Sequence, residues 1–124
     1  MDEIDGIGGG ALAYLGDTVI EITVREKLVK TGRRDVGELN RMSRDYVTAK
    51  NQSKALEKIL PALDEEETAI YKRGRNAHGV SIPKSASANE YRRATGMEAL
   101  FGWLYLKGRN ERIREIFEIG FGEE

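Results

Sequence analysis

Residues 94–108, ATGMEALFGWLYLKG, read as a buried apolar helix with one carboxylate, Glu98, set into it. A helix that is apolar nearly all round has to be covered by other elements, so this segment constrains the fold more than any other. A second stretch, ALAYLGDTVIEI at residues 11–22, carries Asp17 in a similar setting. Isolated charges rarely stay in apolar surroundings because desolvation is so unfavourable, and each of these carboxylates therefore needs a partner.

The rest of the chain supplies helices to cover that segment. Leu12, Leu15, Val19 and Ile22 step by three and four, which predicts a helix over about 10–30 that ends near Gly32. Asp35 is an N-cap candidate for a second helix through Leu39, Met42, Tyr46 and Val47, running on to Leu60, with Pro61 where a turn should begin. DEEETAIYKRGRN has acids in its first turn and bases in its last, matching the helix dipole, and predicts a helix from Asp64 to about Arg75. AHGVSIPKSAS is the one obvious loop. Tyr91, Met97, Leu100, Phe101 and Leu104 mark a helix over 87–107 that Gly108 stops, and NERIREIFEIGF reads as a last amphipathic helix capped by Asn110. No strand pattern competes, so the expected class is all-α, and 124 residues fit one domain, 1–124.

Composition excludes several chemistries. There is no cysteine and only one histidine, His78, which removes thiolate catalysis, disulfides and the usual zinc sites; any metal must be held by oxygen ligands. No apolar run approaches the ~20 residues that span a bilayer, and the acidic, Gly-rich start MDEIDGIGGG lacks the basic and apolar regions of a secretion signal, so a cytoplasmic location is expected. The glycines of GIGGG are not followed by Gly-Lys-Ser/Thr or preceded by a strand, and read as a flexible lead-in rather than a phosphate loop. The net charge of −1 hides a segregation: residues 1–21 carry five acids and no base, whereas residues 71–93 carry six bases against Glu90 alone.

On a helix, Asp17 is neighboured by Ala13, Tyr14, Ile20 and Glu21, and Glu98 by Ala94, Thr95, Phe101 and Gly102. If Ala13, Ala94 and Gly102 let the two helices cross closely, the carboxylates converge and can share a hard cation such as magnesium. The other reading is that each caps a helix or pairs with an arginine. Glu21 has Arg25 four residues on, in the favourable order, which assigns it to a surface ion pair and leaves it out of the site.

LAYLGDTVIE in the first helix, together with ATGMEALFGWLYLKG in a late one, resembles the paired signatures of the ribonuclease III catalytic domain. YVTAKNQS, YKRGRNA, PKSAS and YRRATGMEAL, in that order, resemble more specifically mini-ribonuclease III, the short form without a double-stranded-RNA-binding domain. The resemblance spans nearly the whole chain.

It implies a homodimeric all-α endonuclease that cuts structured double-stranded RNA, with 23S ribosomal RNA maturation as the usual task and a ribosomal protein as a possible presenter of the substrate. Asp17 and Glu98 match the family's metal-binding and catalytic carboxylates, with Mg2+ as cofactor and Mn2+ as a substitute. Ala13 and Thr95 stand where larger ribonuclease III enzymes place further carboxylates, which implies weak cation binding until RNA phosphate contributes ligands. A metal-activated water as nucleophile would leave 5′-phosphate and 3′-hydroxyl ends. The basic segment supplies Arg73, Arg75, Lys84 and Arg92 for phosphates and Asn76 and Ser85 for sugar hydroxyls. Tyr14 matches an aromatic position at the family's dimer interface, with core packing as its other role. Two further readings are a catalytically silent helical RNA-binding dimer in ribosome assembly and a magnesium-dependent hydrolase of small phosphate compounds.

Overall fold

The structure, a computed structural model, describes residues 3–32, 35–77 and 87–122. These residues form α1 (Gly9–Lys30), α2 (Val36–Tyr46), α3 (Ala49–Ile59), α4 (Glu65–Arg75), α5 (Ala88–Leu106) and α6 (Asn110–Phe121), with 3-10 turns at Ile4–Gly6 and Leu60–Ala62. No strand occurs among the described residues, as the periodicity requires. Nor is any described helix long and apolar enough to cross a membrane. The loop expected over 77–87 falls largely outside the described residues.

The apolar segment is the centre of the molecule. Met97, Ala99, Leu100, Phe101, Trp103 and Leu104 of α5 are each 0 % exposed, and α5 packs chiefly on α1 and α4 and less extensively on α3 and α6. The α1 contact depends on two glycines. A Cβ at Gly16 would overlap the Glu98 carbonyl oxygen, and one at Gly102 would overlap the Leu12 carbonyl oxygen, so backbone lies against backbone where α1 and α5 cross. Gly102 was anticipated for this contact; its counterpart on α1 is Gly16, one residue from Asp17.

Helix starts follow local chemistry. Asp35 accepts from the amides of Gly37 and Glu38, Thr48 from Asn51 and Ser87 from Glu90, each side chain satisfying amides that a helix start leaves free. Asp64 and Glu67 form a reciprocal capping box at α4. Left-handed glycines, Gly32 at φ 87° and Gly108 at φ 72°, follow α1 and α5.

Three expectations are corrected. The helix running on from Asp35 to Leu60 breaks at Val47–Thr48, where Thr48 is extended and starts α3; the Asn51 and Gln52 amides donate to the Asp45 and Val47 carbonyls at 2.5 and 2.8 Å, satisfying acceptors near the break. Asn110 is the first residue of α6, and Arg109 occupies the cap position without a side-chain hydrogen bond. The lead-in is pinned rather than flexible. The Arg73 guanidinium donates to the carbonyls of Asp5 and Ile7, and Trp103 Nε1 donates to Asp5 Oδ1 at 3.2 Å.

One buried charge is fully matched. Glu67, 1 % exposed, receives Arg112 Nε at 2.8 Å and Nη2 at 2.7 Å, and Arg112 Nη2 also donates to the Ala62 carbonyl. This two-pronged hydrogen bond from Arg112 holds the Glu67 carboxyl below the usual carboxylate range despite its burial.

Two outcomes follow for stability. Gly16→Ala and Gly102→Ala should each lose at least about 3 kcal/mol in urea unfolding, because rigid backbone cannot yield to the added methyl, whereas Gly6→Ala, with nothing within 4 Å of the new atom, should change by less than about 0.5 kcal/mol. Arg112→Met should cost about 3–5 kcal/mol at neutral pH by leaving a buried carboxylate unpaired. Because the folded Glu67 value is depressed, the pair's stabilisation is present above the ordinary value of 4.5 and fades as pH falls through the folded value; wild type and variant should therefore converge in acid.

Candidate active site

Asp17 projects from α1 and Glu98 from α5, on either side of the Gly16–Gly102 crossing. Asp17 is exposed and Glu98 half-buried. Burial, then a hydrogen bond with Asp17 and the negative charge of Asp17, push the Glu98 carboxyl up to about 8. The two carboxyl groups are therefore close enough for each to feel the other's charge. Among the described residues no arginine pairs with Glu98, and the group it faces is Asp17.

The pair opens onto a cavity of about 280 Å3 whose other walls include Ile20 and Val24 of α1, Asn40, Ser43 and Arg44 of α2, and Gln52 of α3. A second cavity, of about 290 Å3, lies beyond Glu98 and is lined by Leu56, Tyr91, Ala94 and Met97 among others. Glu98, Val47 and Gln52 border both.

The donor set suits a hard cation. All of its ligating atoms are oxygens, and two carboxyl groups that disfavour each other's charge converge on a solvent-accessible cavity. Beyond the two acids the supply is thin. Ala13 and Thr95 are buried, and the Thr95 hydroxyl donates to the Tyr91 carbonyl at 2.9 Å. Among the described residues no three acids or histidines cluster to hold a metal. Glu21 makes its expected bond to Arg25, at 2.7 Å, yet both residues also line the first cavity.

The basic residues separate by environment. Arg73 is half-buried with its guanidinium engaged by the lead-in carbonyls. Arg75 Nε donates to Asn76 Oδ1 at 3.1 Å, and the Arg75 guanidinium lies 5.8 Å from the Tyr71 ring centre. Asn76 and Arg92 are exposed, whereas Lys84, Ser85 and His78 lie outside the described residues. Tyr14 is 86 % exposed, which excludes core packing; Ile22, Val29, Tyr105 and Leu106 are further exposed apolar side chains. The wall formed by Asn40, Ser43, Arg44 and Gln52 was not singled out from the sequence. Its only signal was the YVTAKNQS motif, which contains Gln52.

Comparison with known proteins identifies the family. The Ribonuclease III domain family matches residues 10–109. Mini-ribonuclease 3 of Symbiobacterium thermophilum is 47% identical over 107 residues, covering 86% of this chain and 82% of that protein. Mini-ribonuclease 3 of Desulfitobacterium hafniense is 50% identical, covering 86% and 68%, and that of Enterococcus faecalis is 42% identical, covering 94% and 89%. A Fusobacterium nucleatum protein solved by X-ray crystallography superposes with a TM-score of 0.82 at 35% identity, covering 96% of this chain and 95% of that one. The crossing that joins Asp17 to Glu98 thus lies within a chain that belongs to the ribonuclease III family, in its mini-ribonuclease 3 branch, and is an endoribonuclease of that type.

Proposed function

We propose that this chain, as one domain over 1–124, is a magnesium-dependent endoribonuclease that cuts structured double-stranded RNA in 23S ribosomal RNA maturation. The observation that carries the reading is the convergence of Asp17 and Glu98 on an open cavity. Asp17 and Glu98 would hold the cation through their carboxylate oxygens. When bound, a divalent ion supplies Lewis-acid stabilisation of the phosphate and an activated water at neutral pH. Water attacks the phosphorus and the bond to the 3′-oxygen breaks, so the products carry 5′-phosphate and 3′-hydroxyl ends.

Arg75, Asn76 and Arg92, with Lys84 and Ser85, meet the RNA backbone and sugars, and shape is read more than sequence. Arg73 contributes indirectly, by fixing the lead-in beside α4. A homodimer built through the exposed Tyr14 face supplies one site per RNA strand. The protein works in the cytoplasm, with a ribosomal protein as a candidate presenter of the RNA.

Cleavage of a long double-stranded RNA tests the reading. Wild type should cut with magnesium and stop with EDTA. Asp17→Asn and Glu98→Gln should each cut at least about 100-fold more slowly while still folding and binding RNA. Wild type that binds RNA but never cuts it, across metals and pH, would instead make this a silent RNA-binding protein.

The carboxyl pair also sets a pH dependence. The folded Glu98 value of about 8 lies above the ordinary 4.5, so the folded state binds more protons than the unfolded state between those values. Stability of the metal-free protein should therefore fall as pH rises through that window and level off above it. Urea unfolding in EDTA across a pH series should give a sloping wild-type profile and a flatter Glu98→Gln profile. Parallel profiles would show that Glu98 is not the titrating group.

A further inference from the structure

Gln52 stands in the first turn of α3, half-buried, on the border of both cavities that flank Glu98. Its Nε2 donates to the Val47 carbonyl at 2.8 Å, which holds the plane of the amide. A carboxamide has two N–H donors and a carbonyl acceptor. With one N–H engaged by Val47, one donor and the acceptor remain for a ligand. The α2 residues that line the first cavity with it, Asn40, Ser43 and Arg44, include no acid, and the one acid there besides Asp17 and Glu98 is Glu21, paired with Arg25.

A strand whose scissile phosphate rests on the carboxyl pair brings one other polar group to this spot. The ribose that carries the leaving 3′-oxygen has its 2′-hydroxyl on the adjacent carbon. That hydroxyl both donates and accepts, whereas phosphate oxygens only accept. It is present on every ribonucleotide, so its recognition requires no base sequence.

We propose that Gln52 binds the ribose 2′-hydroxyl beside the scissile phosphate and so makes the site discriminate RNA from DNA; the proposal rests on the nuclease reading of Asp17 and Glu98. Gln52 is a substrate-reading residue, and its contribution lies in the sugar it selects.

The test is a cycle of two proteins and two substrates. The cut position is first mapped on an all-RNA duplex, and a second duplex is made with a single 2′-deoxy nucleotide on the 5′ side of that bond. Wild type should lose about 10-fold in kcat/KM on the deoxy duplex. Gln52→Leu should lose a similar factor on the all-RNA duplex and almost nothing further on the deoxy duplex. The ratio between substrates for one protein does not depend on how much of it is active, so a partly unfolded variant still reports. Gln52→Met, unbranched and of similar length, replaces Gln52→Leu if that variant fails to fold. A variant as sensitive to the deoxy substitution as wild type overturns the proposal, as does a wild type indifferent to it. A wild type that cuts neither duplex removes the nuclease reading instead, an outcome distinct from both.

Discussion

Backbone contact between α1 and α5 at Gly16 and Gly102 is the constraint on which the other features depend. Without side chains at those positions, the first helix lies directly on the most buried one, and two acids far apart in sequence come to face each other. Burying Glu98 beside a like charge is unfavourable, and neither desolvation nor repulsion favours its ionised form. What balances it is the packing of α5, whose apolar side chains are enclosed by α1, α3, α4 and α6. The core thus fixes the two carboxyl groups beside each other.

Much of this was legible in the sequence because its signals are local. Helix periodicity, the caps at Asp35 and Asp64 and the stop at Gly108 all act within a few residues. The acids stood out because a carboxylate on an apolar face is anomalous. The break between α2 and α3 was hidden because apolar residues continue through Tyr46 and Val47, and the decisive bonds come from Asn51 and Gln52, residues that are equally common on exposed helix faces. The pinning of the lead-in was hidden for another reason: Arg73 and Trp103 lie 66 to 98 residues from the atoms they bind. Basic composition alone gives Arg73 and Arg92 the same value, although only one of them has an exposed guanidinium to offer RNA.

The thin ligand supply follows from the same close packing. Ala13 and Thr95 are buried near the crossing, and the Thr95 hydroxyl is turned back onto its own helix. A small residue and an internally satisfied one let α1 and α5 approach, where two more carboxylates would add charge to an already repelling pair. The opposing wall from α2 and α3 then presents neutral amides and a hydroxyl with one arginine, so the remaining positions around a cation fall to water and to the phosphate itself.

Glu67 and Glu98 show how position separates a structural acid from a functional one. Both are glutamates drawn out of water, and they differ in what faces them. Arg112 meets Glu67 with a fork of two hydrogen bonds and the Asp64 amide adds a third, so its charge is matched and its carboxyl stays ionised. Glu98 faces another acid, and burial together with that neighbour pushes its carboxyl up instead. A matched charge has nothing to gain from an external ion, since its lone pairs are already occupied. An unmatched pair at the edge of a cavity favours whatever positive charge can reach it, and a divalent ion would supply two charges. The same side chain thus fastens α6 to α4 in one place and leaves a vacancy for chemistry in the other, and the difference is the arginine that the fold supplies to only one of them.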